Sequence, residues 1–160
     1  MSNTIKPKGR NDGHQFNYSK ITDNIYIGSD LCKGGICLIH GEEFKKLGVS
    51  VEINLSLENN ELPPKDIETY LWLPVADGHA PKKDQLTAGV CLIDTVVKAG
   101  KIVYVHCRNG HGRSPTLVAA YLMRYKGMSL DGANAVICKK RPEAHIEKTQ
   151  EEALREFAKQ

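Results

Sequence analysis

No segment of the chain holds eighteen consecutive apolar residues, which excludes a membrane-spanning helix. The opening MSNTIKPKGRNDGHQ has no apolar stretch of the secretory kind. Cysteines number five, at 32, 37, 91, 107 and 138, an odd and scattered set. A disulfide scaffold needs pairs in a smaller secreted chain, so the usage implies a reducing compartment. No cluster supplies four zinc ligands at finger spacing, and no metal or cofactor is implied. An excess of one charge is missing too: 22 Lys and Arg against 19 Asp and Glu leave +3, which argues against nucleic acid as a partner. That balance is compatible with a local cationic pocket for an anion. Internal repeats and low-complexity segments are absent. These absences together describe a soluble, cytoplasmic chain, expected to be a monomer.

What is present fits one domain. The chain has 160 residues, 41% hydrophobic and 26% charged, an ordinary globular composition. Residues 1–15 are polar and are expected to form a flexible tail, leaving 16–160 as the folded unit. Strands are predicted at ITDNIYIG (21–28), VSVEINL (49–55), IETYLWLP (67–74) and KIVYVHC (101–107). A short helix is predicted over Gly41–Gly48. A longer one is capped by Asp84, with Leu86, Val90, Ile93 and Val97 on one face, and ends at Gly100. Further helical faces fall at Leu117, Ala120 and Tyr121, at Ala133, Val136 and Ile137, and at Leu154 and Phe157. Strands separated by helical patterns predict a single-domain α/β fold, with a central, mainly parallel sheet flanked by helices.

The chemistry concentrates in Val105–Ser114, VHCRNGHGRS. An apolar strand ends at Cys107, a loop with Gly110 and Gly112 follows, and Arg113 and Ser114 open a helical pattern. A strand, a glycine-bearing loop and a helix N-terminus aim backbone N–H groups and the positive end of a helix dipole at one point. Such a cradle binds an oxyanion. A cysteine at its base ionises more easily than a free thiol. Arg113 offers a planar fork for two oxygens of a phosphate. The arrangement favours in-line attack of sulfur on phosphorus and a covalent cysteinyl-phosphate.

The run HCRNGHGRS resembles the His-Cys-x-x-Gly-x-x-Arg-Ser/Thr signature of cysteine-dependent protein tyrosine phosphatases. The chain length is similar to that of the small, atypical dual-specificity branch. The likeness runs from about Tyr18 to Phe157: ITDNIYIG resembles the family's opening strand, and RPEAHIEKTQEEAL its Arg-Pro segment and last helix. The resemblance implies the dual-specificity phosphatase fold and hydrolysis of phosphotyrosine, with phosphoserine and phosphothreonine as further substrates, in phosphorylated protein partners. It makes Cys107 the nucleophile and Arg113 the phosphate clamp. Arg108, Asn109, Gly110, His111 and Gly112 complete the substrate-binding loop. Ser114 would stabilise the sulfur as a leaving group, and His106 would order the loop and keep Cys107 anionic. The general acid the family requires is sought in PVADGHAP, where Asp77 lies 30 positions before the cysteine and Gly78 lets the loop close. Trp-Pro-Asp of the longer enzymes is missing, so His79 and Asp84 stand as alternative acids. Gln150 has two readings, a water-orienting glutamine or an exposed polar position on the last helix.

Plainer readings compete elsewhere. Cys91 and Cys138 are expected to be small core hydrophobes, Cys32 and Cys37 unpaired thiols, and Tyr121 and Tyr125 packing residues. Lys82 and Lys83 are either solvated or greet an anion at the pocket mouth. His106, Cys107 and His111 are zinc-competent but lack a fourth ligand. At the level of function the alternatives are a phosphatase of phosphoinositides, inositol phosphates or RNA 5′ ends using the same chemistry, a pseudophosphatase that only holds phosphate, and a sulfurtransferase.

Overall fold

Residues 2–5, 16–30 and 38–160 are described by the computed structural model. The strand predicted at 101–107 forms as β6 (Ile102–His106) and lies at the middle of the sheet, between β3 (Ile25–Gly28) and β4 (Val49–Ser56). These strands are rich in Val and Ile, whose branched side chains pack well on a pleated surface, and almost every position in them is buried. The full order is β1-β2-β3-β6-β4-β5, with β1 at Ser2–Ile5, β2 at Phe16–Lys20 and β5 at Thr69–Val75. Pairs β3–β6, β6–β4 and β4–β5 are parallel, while β1–β2 and β2–β3 are antiparallel. The α/β class with a mainly parallel sheet is therefore observed.

Alternation along β6 divides the molecule. Val103, Val105 and Cys107 join the large aliphatic core beneath α2 (Lys83–Lys98), α3 (Arg113–Lys126), α4 (Leu130–Lys140) and α5 (Lys148–Ala158). Tyr104 belongs to the opposite face, where it packs with Tyr18, Tyr26, Val49 and Phe44 of α1 (Leu38–Leu47). Helix α3 runs through the core, buried at every position from Arg113 to Leu122. It stops at Gly127, whose φ of 65° is in the left-handed region that glycine adopts without strain. The core therefore grips the helix that carries Arg113 from all sides.

Several expectations change. Ser2–Ile5 pairs with β2, so the proposed tail over residues 1–15 begins as an edge strand; residues 6–15 lie outside the described residues. The strand predicted from Ile21 starts at Ile25, because Ile21 N–H turns back to the Ile25 carbonyl. Lys82, not Asp84, caps α2: its N–H donates to Gln85 Oε1 at 2.9 Å, and Asp84 sits exposed in the first turn. Cys91 is exposed and Cys138 only half-buried. Cys91 follows Val90, one step of about 100° around the helix from the apolar face, so the core prediction placed it on the wrong side. Cys32 and Cys37 lie outside the described residues. No helix among the described residues is long and apolar enough to cross a membrane.

Candidate active site

Between β6 and α3 the chain folds so that its carbonyls are held outward. Arg108 O accepts from Asp30 N–H, Asn109 O from Arg141 Nη2 and Gly110 O from Arg141 Nε, at 3.0, 2.9 and 2.8 Å. His111 O accepts from His145 N–H at 2.6 Å, and Gly112 O from the Thr116 hydroxyl at 2.7 Å. In a trans peptide the N–H points opposite to the C=O, so outward carbonyls turn the following N–H groups toward the loop centre. No peptide bond here is cis. Gly110 is required twice: its φ is 70°, and a Cβ would lie 2.5 Å from the Gly28 carbonyl oxygen.

Cys107 sits buried at the floor of this ring, its Sγ 3.4 Å from Ser114 Oγ. Burial pushes the thiol up. The Ser114 hydroxyl and N–H, the Arg113 charge and the Gly110 N–H outweigh burial and leave it below the ordinary thiol range.

Arg113 opens α3 and is buried down to its guanidinium. Nη1 and Nη2 grip Glu58 at 2.9 and 2.7 Å, and Nη1 also donates to Val75 O at 2.8 Å. Those hydrogen bonds hold the Glu58 carboxyl at about 2, far below its ordinary value. Nε meets no acceptor among the described residues although it is buried. Asp77, 80% exposed, approaches Arg113 Nη2 to 3.5 Å from the rim. Its loop is tied to α5, where Thr149 Oγ1 donates to Gly78 O at 3.2 Å and Gln150 Nε2 to His79 O at 3.0 Å.

The structure thus gathers Cys107, Arg113, Ser114 and Asp77 at one place. The backbone of Arg108, Asn109, Gly110, His111 and Gly112 lines it, while the side chains of Arg108, Asn109 and His111 are exposed. Burial and the Arg141 charge push the His111 imidazole down, so Arg108 is the loop's fixed exposed cation. His79 offers its carbonyl to Gln150, and its side chain is exposed. Gln150 is buried and packs against Gly112, which removes the reading of it as an exposed helix position. His106 points to the other face of the sheet and contacts two glutamates: its Nε2 lies 2.7 Å from Glu52 Oε1 and 2.9 Å from Glu61 Oε1. All three are buried and, among the described residues, form the cluster whose ligand-type atoms fall within 4.8 Å of one another. The ring nitrogen is already hydrogen-bonded there.

Glu58, Arg141, Glu52 and Glu61 were not singled out from sequence. For Glu52 a signal existed: Glu52, Asn54 and Ser56 alternate with apolar residues in a strand that is otherwise core. A polar residue at every second position of a buried strand marks a polar network on one face. Arg141 stood in the RPEAH segment, and only its complete burial reveals that it holds the loop.

Comparison with known proteins gives one family. The dual specificity phosphatase catalytic domain matches residues 34–160. A tyrosine-protein phosphatase of Caenorhabditis elegans, vhp-1, is 32% identical over 124 residues, covering 76% of this chain and 18% of that protein. The phosphatidylglycerophosphate phosphatase PTPMT2 of Arabidopsis thaliana is 32% identical over 121 residues, covering 72% of this chain and 53% of its own length. The chain therefore spans under two thirds of either relative. A crystal structure of a human DUSP28 variant superposes with a TM-score of 0.77 at 25% identity, covering 89% of this chain and 94% of that one.

Proposed function

This chain belongs to the dual-specificity phosphatase catalytic-domain family, and from that premise we propose that it hydrolyses phosphomonoesters of phosphorylated proteins, phosphotyrosine first, through a cysteinyl-phosphate. The observation that carries the reading is the ring itself: outward-held carbonyls, a thiol kept low, and a buried Arg113 whose Nε–H has no partner among the described residues. A phosphate seated in the ring gives that N–H its acceptor and takes Nη2 as the second tooth of the fork, while Glu58 keeps the guanidinium in plane.

The Cys107 thiolate attacks phosphorus in line; the S–P bond forms as the bond to the ester oxygen breaks. Asp77, displaced from Arg113 by the phosphate, gives its proton to the leaving oxygen. Water then attacks the cysteinyl-phosphate, Asp77 takes its proton, and the Ser114 hydroxyl stabilises the departing thiolate. Inorganic phosphate and free enzyme result.

One second reading has a specific support. A phosphatidylglycerophosphate phosphatase stands among the relatives, and the same ring accepts a lipid phosphomonoester. The test is turnover of p-nitrophenyl phosphate with reductant and EDTA, wild type beside Cys107→Ser. A phosphotyrosine peptide, a phosphothreonine peptide and phosphatidylglycerophosphate vesicles follow. Activity that survives EDTA and vanishes in Cys107→Ser supports the chemistry. A preference for the lipid by roughly tenfold or more in kcat/KM would replace the protein-substrate reading.

A further inference from the structure

Beneath the active-site ring, on the sheet face opposite α2, α3, α4 and α5, lies a buried set of charges that the proposed reaction does not use. His106 is fully buried, as are the side chains of Glu52 on β4 and Glu61 in the following loop. Two facts of geometry constrain their protons. His106 Nδ1 lies 3.3 Å from the Cys107 carbonyl, which can only accept, so Nδ1 carries a hydrogen. Nε2 faces carboxylate oxygens of both glutamates, at 2.7 and 2.9 Å. Two ionised carboxylates this close to one another in a dry site repel strongly, and one proton between them relieves that.

We propose that Glu52 and Glu61 are a proton-sharing pair of positioning residues that hold His106 as imidazolium, and that His106 in turn fixes the Cys107 peptide and its thiolate. The inference rests on Cys107 being the nucleophile, as above. The cluster is neutral with one imidazolium, one carboxylate and one carboxylic acid. Burial pushes Glu61 up to about 7, with the Glu52 charge adding to it and the His106 charge opposing. Burial alone would lower His106, but the two glutamates outweigh it and raise the imidazole well above its ordinary value.

Other groups bear on the cluster from each neighbouring element. Asp30, after β3, feels the His106 and Arg108 charges. Tyr70 of β5 and Tyr104 of β6 are both pushed up, by burial first and then by the two glutamates. Asn59 Nδ2 donates to Glu61 Oε2 at 3.2 Å and reaches Asp30 Oδ2 at 3.5 Å, linking the two carboxyls. As pH rises through about 7, Glu61 loses the shared proton and the cluster gains one negative charge, a single peptide away from Cys107. That charge opposes both the thiolate and a phosphate dianion.

The test compares Glu52→Gln, Glu61→Gln and the double variant, each checked for folding by circular dichroism. The pH dependence of iodoacetamide alkylation is followed on the Cys107 peptide by mass spectrometry. Either single variant keeps one carboxylate for the imidazolium and should leave the alkylation midpoint where the wild type has it. The double variant leaves His106 no anion, and its midpoint should rise by about one pH unit, which is about tenfold slower alkylation on the acid side. A folded double variant with the wild-type midpoint, or single variants that each shift as far as the double, would overturn the proposal. Should the double variant fail to fold, Glu61→Gln decides through the kcat/KM profile. Made in the Asp77→Ala background, where the general acid contributes no limb, the profile should fall near pH 7 with Glu61 present and not with Glu61→Gln, and a fall that persists contradicts the shared proton. Alkylation reads the thiol directly, so a chain without phosphatase turnover would sink the proposed function and leave this test standing.

Discussion

Arg113 has two tasks for one guanidinium: it must stay put in a buried site, and it must leave donors for a substrate. Glu58 and the Val75 carbonyl meet the first task through Nη1 and Nη2, and Nε, without an acceptor among the described residues, leaves a donor for the second. Arg113→Ala should therefore raise KM and cut kcat/KM on p-nitrophenyl phosphate by roughly 10²–10³-fold. Steady-state kinetics and phosphate inhibition would check this, and unchanged phosphate affinity would contradict the clamp. Asp77→Ala should cost roughly 10²-fold or more on phenyl phosphate, whose leaving group needs a proton, and far less on p-nitrophenyl phosphate. Equal losses on both would move the acid to His79 or Asp84. Cys107 and Arg113 were legible in the sequence because seven contiguous residues hold them together. Glu58 was not, since its only tie to Arg113 is spatial, across 55 positions of chain.

At the scale of the element, the loop between β6 and α3 depends on a residue from beyond α4. Arg141 sends Nε to Gly110 O, Nη2 to Asn109 O and Nη1 to Ser19 Oγ, fastening the ring to β2. Arg141→Met keeps the length of the side chain and removes all three donors from a fully buried place. It should destabilise the fold by about 3 kcal/mol or more and lower kcat/KM, because loop carbonyls released from Arg141 can turn inward. Urea unfolding beside turnover would measure both losses, and a variant of wild-type stability and activity would remove Arg141 from the loop's support. The period of α2 was readable because it hides one face, Leu86, Val90 and Ile93, in the aliphatic core, and β3, β4 and β6 were readable as short runs of branched apolar residues buried on both faces. The edge strand β1 and the cap of α2 were not: edge pairing depends on β2 lying alongside, and the cap on a Gln85 side chain folding back to Lys82. Cys91 shows the same limit, since one residue of offset on a helix turns a core position into a surface one.

For the whole molecule, the buried charges beneath the sheet make stability depend on pH. Burial moves the Glu61 carboxyl from its ordinary 4.5 to about 7 in the folded state. Between those values the folded chain keeps a proton that the unfolded chain releases, so this group's contribution is full below about 4.5 and is lost as pH rises to about 7. The unfolding free energy of the wild type relative to Glu61→Gln should fall across that window, by on the order of 1–3 kcal/mol, and level off above it. Denaturation of both proteins at matched pH would check it; a flat difference would place the Glu61 carboxyl in its ordinary range. The central claim, however, is covalent, and the measurement that reaches it most directly is an acid quench during turnover of radiolabelled p-nitrophenyl phosphate, followed by peptide mapping. Label on the peptide carrying Cys107, and none in Cys107→Ser, is the predicted result. Turnover by the wild type with no labelled Cys107 peptide, even in Asp77→Ala where hydrolysis of the intermediate is slowed, would contradict the account.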